Sequence, residues 1–471
     1  MLPDEFRRHG HALVDWMADY LRDVRTLPVT PSVSPGELRA QLPAAPPMEG
    51  EPFEAQLEDF RDLILPGVTH WNHPGWFAYF PCNNSPPSIL AEMLTATLGV
   101  QGMSWATSPA ATELEQVVMD WLRQMIGLPA GYAGVIQDTA STATLVALLT
   151  ARERATGGRS GRAGLAAGGA PLTVYASREA HSSVEKAVKL AGYGLEMLRH
   201  VETDDAFALR PEALARALDA DRAAGLRPAC VVATVGTTSS TAIDPVRPIA
   251  ELCRRHGAWL HVDAAYAGSA AIVPELRPLF DGIEAADSLV FNPHKWLLTN
   301  FDCSAYFVRD PAALLSAFQA APEYLRTPFD PEVVNFRDWG IQLGRRFRAL
   351  KLWFVIRSYG VQGLRALIRK HATLAREFAT WLEAEPDFEL MAPVPFGLVC
   401  FRYHPPGRSE EELDAINARL LAAVNASRRR FLTHTRLGGR YVIRLVVGQR
   451  GTEREDVAAA WDAMRQAARE G

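Results

Sequence analysis

Predicted helices alternate with short β-branched strands from about residue 110 to residue 310, and this alternation constrains the fold more than any other feature. The predicted strands are residues 134–137, 172–176, 229–235, 259–263, 289–292 and 305–308. The predicted helices are residues 111–126, 142–154, 183–191, 211–224 and 246–256. This rhythm predicts an α/β fold with a mainly parallel sheet that helices cover on both faces. Ligands of such sheets bind at the carboxyl ends of the strands.

The segments outside this region have a different character. Residues 4–24 carry apolar side chains at helical spacing and predict an amphipathic helix, which needs another surface to cover it. The proline-rich residues 28–52 are expected to run extended. The Gly/Ala/Arg stretch 157–170 is expected to be a surface loop. Past residue 350, a long helical segment leads into a smaller α+β region with strand-like runs at residues 398–403 and 441–447.

Composition narrows the classes of partner. The formal net charge is −5, so no excess of cations is available to bind nucleic acid or an anionic membrane. No apolar run is long enough to span a bilayer, and Asp4, Glu5 and Arg7 stand where a signal peptide would be apolar, so a cytoplasmic location is expected. The 5 cysteines are scattered and form no CxxC pair, and His70 and His73 lack a third ligand, so no metal site is expected.

One lysine lies in a setting that suits covalent chemistry. The chain has only five lysines, and Lys295 directly follows a short apolar strand that ends in Asn-Pro. Most lysines are solvated surface groups. Lys295 is instead followed by a tryptophan and two leucines, and an apolar setting lowers the pKa of an amine because it desolvates the ammonium. A Schiff-base lysine needs such a setting.

Asp263 ends another strand, in the sequence LHVDAAY, whose other residues are mostly apolar. A buried carboxylate there needs a cationic partner. Pyridoxal phosphate (PLP) provides one, because its ring nitrogen must stay protonated for the cofactor to accept electrons, and a neighbouring aspartate holds that proton. For Asp263 alone, a carboxylate that caps the following turn is the simpler interpretation. With Lys295 at a later strand end, the cofactor is favoured.

Two further segments fit the same ligand in combination with these residues. Residues 137–142 join a strand to a helix and are rich in hydroxyls, so the helix N-terminus could hold a phosphate, although any Ser/Thr N-cap looks similar. His181 opens another helix, where its imidazole could lie flat on a planar ring or only cap the helix. Neither a dinucleotide fingerprint nor a P-loop occurs, which disfavours a nucleotide, and no GxSxG elbow indicates a serine hydrolase.

These residues stand in stretches that resemble a known family. The order His181, Asp263, Lys295, with HVDAAYAG and FNPHKWLLTNFDCSA, resembles the group II pyridoxal-phosphate decarboxylases, most closely the aromatic-L-amino-acid decarboxylases. The resemblance extends along the whole chain through EFRRHG, VTHW, FAYFP, SPAATELE, HSSVEKA, LGRRFRALKLWFVIRSYG and GLVCFR. It implies an aspartate-aminotransferase-like fold (PLP fold type I). Its parts are an N-terminal helical segment (1–85), a large PLP-binding α/β domain with a mainly parallel sheet (86–350) and a small C-terminal α+β domain (351–471).

The resemblance also implies a role for individual residues around the cofactor. Lys295 forms the Schiff base with PLP, and Asp263 pairs with the pyridine nitrogen. His181 stacks on one side of the ring, and Ala265 packs on the other. The remaining matched cofactor positions, which serve the phosphate and the ring hydroxyl region, are Thr139, Ala140, Ser141, Asn292, His294 and Thr238.

The implied reaction depends on one further residue. Tyr324 matches a tyrosine on a mobile loop, here residues 319–337, that protonates the α-carbon after carbon dioxide leaves. His181 and Tyr324 match the decarboxylases at positions where aldehyde-forming relatives differ. The resemblance therefore implies decarboxylation of aromatic L-amino acids of the tryptophan, tyrosine, phenylalanine or dopa type to arylalkylamines. An aromatic aldehyde synthase or a histidine or glutamate decarboxylase is the alternative, and a catalytically silent PLP-binding protein is a third.

The resemblance further implies a homodimer in which the N-terminal segment wraps the partner. The substrate pocket would then be lined by Trp71, Tyr79, Phe80, Gln101 and Met103, the last two from the other subunit. Cys82 stands in CNNSPP, where relatives carry threonine or serine near the substrate carboxylate. Gly344 is the small residue that accompanies indole-type or broad substrates in relatives, so tryptophan-like substrates are favoured, with the other aromatic amino acids open.

Overall fold

A computed structural model describes residues 1–320 and 322–470 of the chain. Its large sheet contains β1 (Ala133–Gln137), β2 (Leu172–Ser177), β3 (Leu198–Val201), β4 (Arg227–Thr234), β5 (Trp259–Asp263), β6 (Ser288–Phe291) and β7 (Ser304–Val308). The strand order is β1-β7-β6-β5-β4-β2-β3. The pairs from β6 to β3 are parallel, whereas β7 is antiparallel to both of its neighbours. The mainly parallel sheet predicted from the sequence is therefore confirmed.

The N-terminal segment contains three α-helices. They are α1 (Pro3–Asp23), α2 (Glu37–Gln41) and α3 (Phe53–Asp59). None of the residues of α1 is buried, although the helix has an apolar stripe. The proline-rich stretch was expected to run extended throughout, and α2 corrects this expectation for one helical turn, which begins after Gly36 in a left-handed conformation (φ 88°).

Helices cover both faces of the large sheet. The helices of this unit are α4 (Pro86–Leu98), α5 (Pro109–Ile126), α6 (Ala140–Thr156), α7 (Arg159–Ala163), α8 (Ser183–Leu190), α9 (Pro211–Ala223), α10 (Val246–His256), α11 (Pro293–Trp296), α12 (Pro311–Phe318) and α13 (Arg348–Glu383). Helices α5, α9, α10 and the first half of α13 contribute to the core on one face, and α6, α8 and α12 to the core on the other. Because both faces are buried, the central strands are almost wholly apolar.

The stretch 157–170 is not a simple surface loop, which corrects the prediction from its composition. It contains α7 and a 3₁₀ turn, Leu165–Gly168. The buried carboxylate of Glu153, near the end of α6, accepts hydrogen bonds from the Ser160 hydroxyl at 2.7 Å and from the backbone N–H of Gly161 at 3.0 Å. These bonds tie the stretch to the body of the protein.

The C-terminal part contains a second sheet. Its elements after α13 are β8 (Phe388–Leu390), β9 (Leu398–Tyr403), α14 (Glu410–Ala426), β10 (Thr433–Leu437), β11 (Arg440–Val446) and α15 (Arg454–Glu470). The four strands are antiparallel in the order β10-β11-β9-β8. Across residues 1–320 and 322–470, no helix is long and apolar enough to cross a membrane.

Helix α13 contributes to the core of the large unit and to the core of the C-terminal part. Leu352 and Leu364 pack in the core of the large unit, whereas Phe378 and Leu382 pack against the C-terminal sheet. The helix is interrupted at Gly360, whose backbone is left-handed (φ 62°). The domain boundaries at residues 85 and 350 stay predictions, since α13 connects the two cores without a linker.

Candidate active site

A cavity of about 170 Å³ lies at the carboxyl ends of the parallel strands. It is lined by Phe80, Thr139, Ala140, Ser141, His181, Thr234, Gly236, Thr238, Asp263, Ala265, Tyr266, Asn292, His294 and Lys295. Every residue that the sequence predicted as a cofactor contact is in this set. Residues separated by more than 150 positions in the chain therefore meet at one edge of the sheet, because the strands that precede them end there.

Lys295 lies in the short helix α11, which follows β6 after Asn292. Burial lowers the pKa of its ammonium, and the nearby carboxylate of Asp263 partly opposes this shift. The Nζ atom lies 5.4 Å from the centre of the Phe80 ring. The backbone carbonyl of Lys295 accepts a hydrogen bond from Nδ2 of Asn83 at 2.9 Å, which fixes α11 against the segment that follows Phe80.

Asp263 is buried at the end of β5. Its Oδ1 accepts a hydrogen bond from the backbone N–H of Ala265 at 3.0 Å, so the carboxylate does cap the following turn. This bond leaves the second oxygen available to a cationic ligand. Capping and ligand binding are therefore compatible roles of the same side chain.

The N-terminus of α6 forms another wall of the cavity. Thr139 is its N-cap, and the Thr139 hydroxyl accepts a hydrogen bond from the backbone N–H of Thr142 at 3.3 Å. The first N–H groups of a helix have no partner within the helix, and they favour an anion. Asn292 is held beside them because its Oδ1 accepts a hydrogen bond from the Ser304 hydroxyl at 2.8 Å.

Two histidines in the wall have pKa values below the usual range for histidine. Burial lowers the pKa of His181, with Asp263 opposing the shift, and Nδ1 of His181 accepts a hydrogen bond from the backbone N–H of Ser183 at 3.1 Å. Burial also lowers the pKa of His294 to about 3. Nδ1 of His294 accepts from the backbone N–H of Cys303 at 3.0 Å. Neutral imidazoles can pack against a flat ring without adding charge.

The donor set fits PLP. The buried carboxylate of Asp263 suits a protonated ring nitrogen, and the N-terminus of α6 suits a phosphate. A buried lysine amine lies in the same cavity. In addition, the hydroxyl of Thr234 is buried in the wall without a hydrogen-bond partner among the residues that the structure describes. A ligand with a positively charged ring nitrogen and a negatively charged phosphate therefore matches the groups that line the cavity.

The predicted substrate residues are placed differently. Phe80 lines the cavity and stacks on Tyr266, with ring centres 4.0 Å apart. Trp71 stacks on Tyr79 with ring centres 5.7 Å apart, outside the lining of the cavity. Cys82 is half-buried, and burial raises the pKa of its thiol while Lys295 opposes the shift. Of these four predicted substrate residues, Phe80 therefore lines the cavity and the other three do not.

The remaining predicted residues lie outside the cavity lining of this chain. Gln101 is exposed, and its Oε1 accepts a hydrogen bond from the backbone N–H of Arg345 at 2.6 Å, next to Gly344. The Met103 carbonyl accepts from the N–H of Arg337. Tyr324 is 78% exposed on a 3₁₀ turn. The assignment of Gln101 and Met103 to the other subunit's pocket stays a prediction.

Four further residues were not predicted from the sequence: Thr234, Gly236 and Tyr266 in the cavity wall, and Arg444 behind it. Arg444 is buried, donates to the Thr238 carbonyl at 2.8 Å and lies 5.5 Å from the centre of the Phe80 ring. It forms no ion pair with any carboxylate in the described part of the chain. An arginine inside the apolar strand β11 was the signal that could have revealed it.

Several known proteins are similar to this chain in sequence. The model of the pyridoxal-dependent decarboxylase conserved domain matches residues 35–404. Aromatic-L-amino-acid decarboxylase of Sus scrofa is 46% identical over 478 residues, which cover 99% of this chain and 96% of that protein. Phenylacetaldehyde synthase of Arabidopsis thaliana is 45% identical over 476 residues, with coverage of 99% and 96%.

Solved structures agree with these sequence relationships. The crystal structure of Oryza sativa TDC with PLP and tryptamine has a TM-score of 0.96 at 40% identity, covering 100% of this chain and 99% of that chain. The fold, the lysine and aspartate in one cavity, and the match over most of the sequence lead to the same conclusion: the chain belongs to the pyridoxal-dependent decarboxylase family.

Proposed function

We propose that this protein decarboxylates aromatic L-amino acids to arylalkylamines and carbon dioxide, with PLP as its cofactor. The observation that carries the proposal is the meeting of Lys295 and Asp263 in one cavity that also receives the N-terminus of α6. Relatives that are named aromatic-L-amino-acid, tryptophan and tyrosine decarboxylases support the substrate class.

The chain's own residues would hold the cofactor at three points. Lys295 would bind the aldehyde carbon, Asp263 would hold the proton on the ring nitrogen, and the α6 N-terminus with Asn292 would bind the phosphate. His181 and Ala265 would pack against its ring, and Thr238 and His294 would contribute to the same cavity wall. Bound PLP supplies a protonated ring that withdraws electrons from the α-carbon of the amino acid.

The electrostatics of the cavity suit these roles. Because burial lowers the pKa of Lys295, its amine holds its proton less tightly than a surface lysine does. Asp263 opposes this shift and would keep the ring nitrogen protonated, since a carboxylate favours a nearby positive charge. Burial lowers the pKa of His181, which favours the uncharged imidazole in this wall.

Tyr324 is the proposed donor of the proton that the α-carbon receives. Its turn, Glu323–Leu325, is short and the side chain is exposed, so it must move toward the cavity to act. A segment with few buried side chains can make such a movement at low cost. When closed, it would also exclude water from the reacting carbon.

The apolar side of the site favours aromatic substrates over glutamate. The rings of Phe80 and Tyr266 stack on each other at the cavity. The rings of Trp71 and Tyr79, which come shortly before Phe80 in the sequence, also stack on each other. A distal carboxylate would need a cationic partner to be buried there. Histidine is disfavoured less strongly, because its ring is aromatic and uncharged in part at neutral pH.

An aromatic aldehyde synthase is the second candidate, because phenylacetaldehyde synthases are as similar in sequence as the decarboxylases. His181 and Tyr324 favour the amine product, as they match the decarboxylases in the family pattern. Measuring hydrogen peroxide and ammonia together with carbon dioxide separates the two. Formation of hydrogen peroxide in parallel with carbon dioxide would identify the protein as an aldehyde synthase.

A homodimer is proposed as the active form. Helix α1 exposes Phe6 and Val14, and Leu2 just before it is also exposed. Helix α4 exposes Leu90, Leu94 and Leu98. Patches of this kind on a protein surface mark interfaces. A second copy of the chain would cover them and would bring Gln101 and Met103 to its partner's substrate pocket.

The direct test offers the PLP-loaded protein tryptophan, tyrosine, phenylalanine, dopa, histidine and glutamate separately and identifies the products by mass. Amines from the aromatic substrates alone are expected. Lys295→Ala should abolish turnover, whereas Lys189→Ala, at an exposed lysine of α8, should retain it. Turnover by the Lys295 variant, or reaction of glutamate alone, would overturn the proposal.

A further inference from the structure

Asn83 is buried next to Lys295 and uses its backbone N–H and its whole carboxamide in hydrogen bonds. It is 2% exposed. Its backbone N–H donates to the carbonyl of His294 at 3.1 Å, and its Nδ2 donates to the carbonyl of Lys295 at 2.9 Å and to that of Gly448 at 2.7 Å. Its Oδ1 accepts from the backbone N–H of Arg450 at 3.1 Å. One residue therefore connects three separate segments of the chain.

These bonds determine which way the carboxamide faces. If its oxygen and nitrogen were exchanged, the oxygen would face the carbonyl oxygens of Lys295 and Gly448, and the NH₂ group would face the N–H of Arg450. Neither arrangement is a hydrogen bond. The side chain of Asn83 therefore has a single orientation that satisfies its partners.

Helix α11 depends on Asn83 for its C-terminal end. The helix has only 4 residues, Pro293–Trp296, and the last carbonyls of a helix have no partner within it. The carbonyls of His294 and Lys295 are two of these, and Asn83 donates to both. One helical turn is too short to be stable by itself. Asn83 therefore holds the backbone from which the Lys295 side chain extends.

The same carboxamide connects Lys295 to the C-terminal part of the chain. Gly448 and Arg450 lie between the end of β11 and the start of α15. This connection packs closely on the segment before Asn83, because a Cβ atom at Gly448 would lie 2.7 Å from Cγ of Pro81. Asn83 is therefore held between α11 on one side and the C-terminal part on the other.

We propose that Asn83 is a positioning residue, which directs the amine of Lys295 toward the aldehyde carbon of PLP by holding the carbonyl of that lysine. The inference rests on the proposed role of Lys295. Asn83 does not line the cavity, so it acts through the backbone of Lys295. A displacement of about 1 Å in a reacting group can cost a factor of about 10² in rate. Loss of the carboxamide should therefore make the binding of PLP through Lys295 less favourable.

The first test uses Asn83→Ala, which removes the carboxamide and keeps the backbone N–H. Equilibrium dialysis of the full-length protein measures the Kd for PLP, which should rise about tenfold. A loss of stability that the free and the PLP-loaded protein share cancels in the Kd, so a residue that only supports the fold would leave the Kd unchanged. Asn83→Ser leaves a smaller gap, should give the same change, and is used if the alanine variant does not fold.

Asn417 provides the matched control, because its carboxamide makes the same kind of bonds away from the cavity. It is fully buried in α14. Its Nδ2 donates to the carbonyls of Tyr403 at 2.8 Å and Leu413 at 2.9 Å, and its Oδ1 accepts from the N–H of Tyr403 at 2.8 Å. Asn417→Ala should lower the melting temperature without PLP, as Asn83→Ala does, but leave the Kd for PLP unchanged.

A double-mutant cycle shows whether Asn83 acts through Lys295. In the Lys295→Ala protein no lysine amine remains to be directed, so the addition of Asn83→Ala should leave the Kd for PLP unchanged. An unchanged Kd in the single Asn83 variants, or an equal rise with and without Lys295, overturns the positioning role and leaves the cofactor site standing. Failure of the unaltered protein to bind PLP would overturn both.

Discussion

The Nε2 atom of Gln101 lies 3.1 Å from the point that a Cβ atom would occupy at Gly344. The amide of Gln101 is held there because its Oε1 accepts a hydrogen bond from the backbone N–H of Arg345 at 2.6 Å. Arg345 is itself buried and paired with Glu115 at 2.6 Å. Any side chain at position 344 must therefore push the Gln101 amide aside, and the two positions act as one unit.

Gly344→Ser should change the ranking of substrates. The added side chain displaces the Gln101 amide, and in the family pattern a hydroxyl residue here accompanies phenolic substrates. We expect kcat/KM for tryptophan to fall about tenfold relative to tyrosine, the effect that a small change in a pocket has on specificity. Steady-state kinetics with both substrates measure this ratio.

Gly131→Ser is the control for that change, because nothing lies within 4 Å of a Cβ at Gly131. It should leave the ratio unchanged. If Gly344→Ser also leaves the ratio unchanged, the space shared by Gly344 and Gln101 does not face the substrate.

Tyr324→Phe should reduce amine formation. Without the phenolic hydroxyl, the proposed proton donor to the α-carbon is absent. The reaction should therefore shift toward oxidation by dissolved oxygen, which gives aldehyde, ammonia and hydrogen peroxide, with carbon dioxide still released. A general acid contributes about 10² to 10⁴ in rate, so a loss of at least a hundredfold in amine is expected. Mass analysis of products checks this, with Tyr359→Phe as a variant outside the site. Amine formed at the original rate would remove Tyr324 from the mechanism.

His371 makes the fold sensitive to acid. It is fully buried, its Nδ1 accepts a hydrogen bond from Nε1 of Trp296 at 2.9 Å, and burial lowers its pKa to about 3. The unfolded chain, with a histidine pKa near 6.5, therefore binds a proton that the folded chain does not, and stability is lost as the pH falls below about 6.5. This group alone should cost about 2 kcal/mol between pH 7 and pH 5.

His371→Asn offers a carboxamide oxygen to Trp296 and cannot be protonated in this range. Urea unfolding at pH 7 and pH 5 should show a smaller loss of stability in this variant than in the original protein. His200→Asn, at an exposed histidine of β3, should keep the original loss. An equal loss in all three proteins would contradict the assignment to His371.

Leu94→Glu in α4 should weaken the proposed dimer. Leu94 is 47% exposed and lies beside Leu90 and Leu98 on the apolar side of the helix, so a charge there would be buried by a second copy. Light scattering after size-exclusion chromatography should find a monomer. Leu190→Glu, on the 72% exposed leucine at the end of α8, should leave the mass unchanged. A Leu94 variant that stays dimeric places the interface elsewhere.

Much of the large unit could be predicted from periodicity. The bounds of β5 and α10 agree with the sequence analysis at both ends, because a buried apolar strand and a strongly amphipathic helix have clear patterns. Strand β3 was missed, since Arg199 and His200 interrupt it at the edge of the sheet. Strand β10 was also missed, because its residues Thr433–Leu437 are mostly polar.

The residues that meet in the cavity were predictable only in part. Lys295, Asp263 and His181 were found because each follows an apolar strand in a distinctive stretch. Thr234 was missed because its place depends on the register between β4 and β5, which local sequence does not reveal. The position of Tyr324 relative to the cavity depends on a segment without regular structure, whose path no periodic pattern indicates.

Helix α13 has a consequence for any attempt to cut the chain. Leu352, Val355, Leu364 and Ile368 complete the core of the large unit although they come after residue 350. A fragment that ends before them would expose the apolar surface that they cover, and a fragment that begins with them would carry an uncovered apolar stripe. Proteolytic nicking within α13 should therefore unfold both halves together, so that cofactor bound near Lys295 also protects the distant C-terminal sheet from degradation.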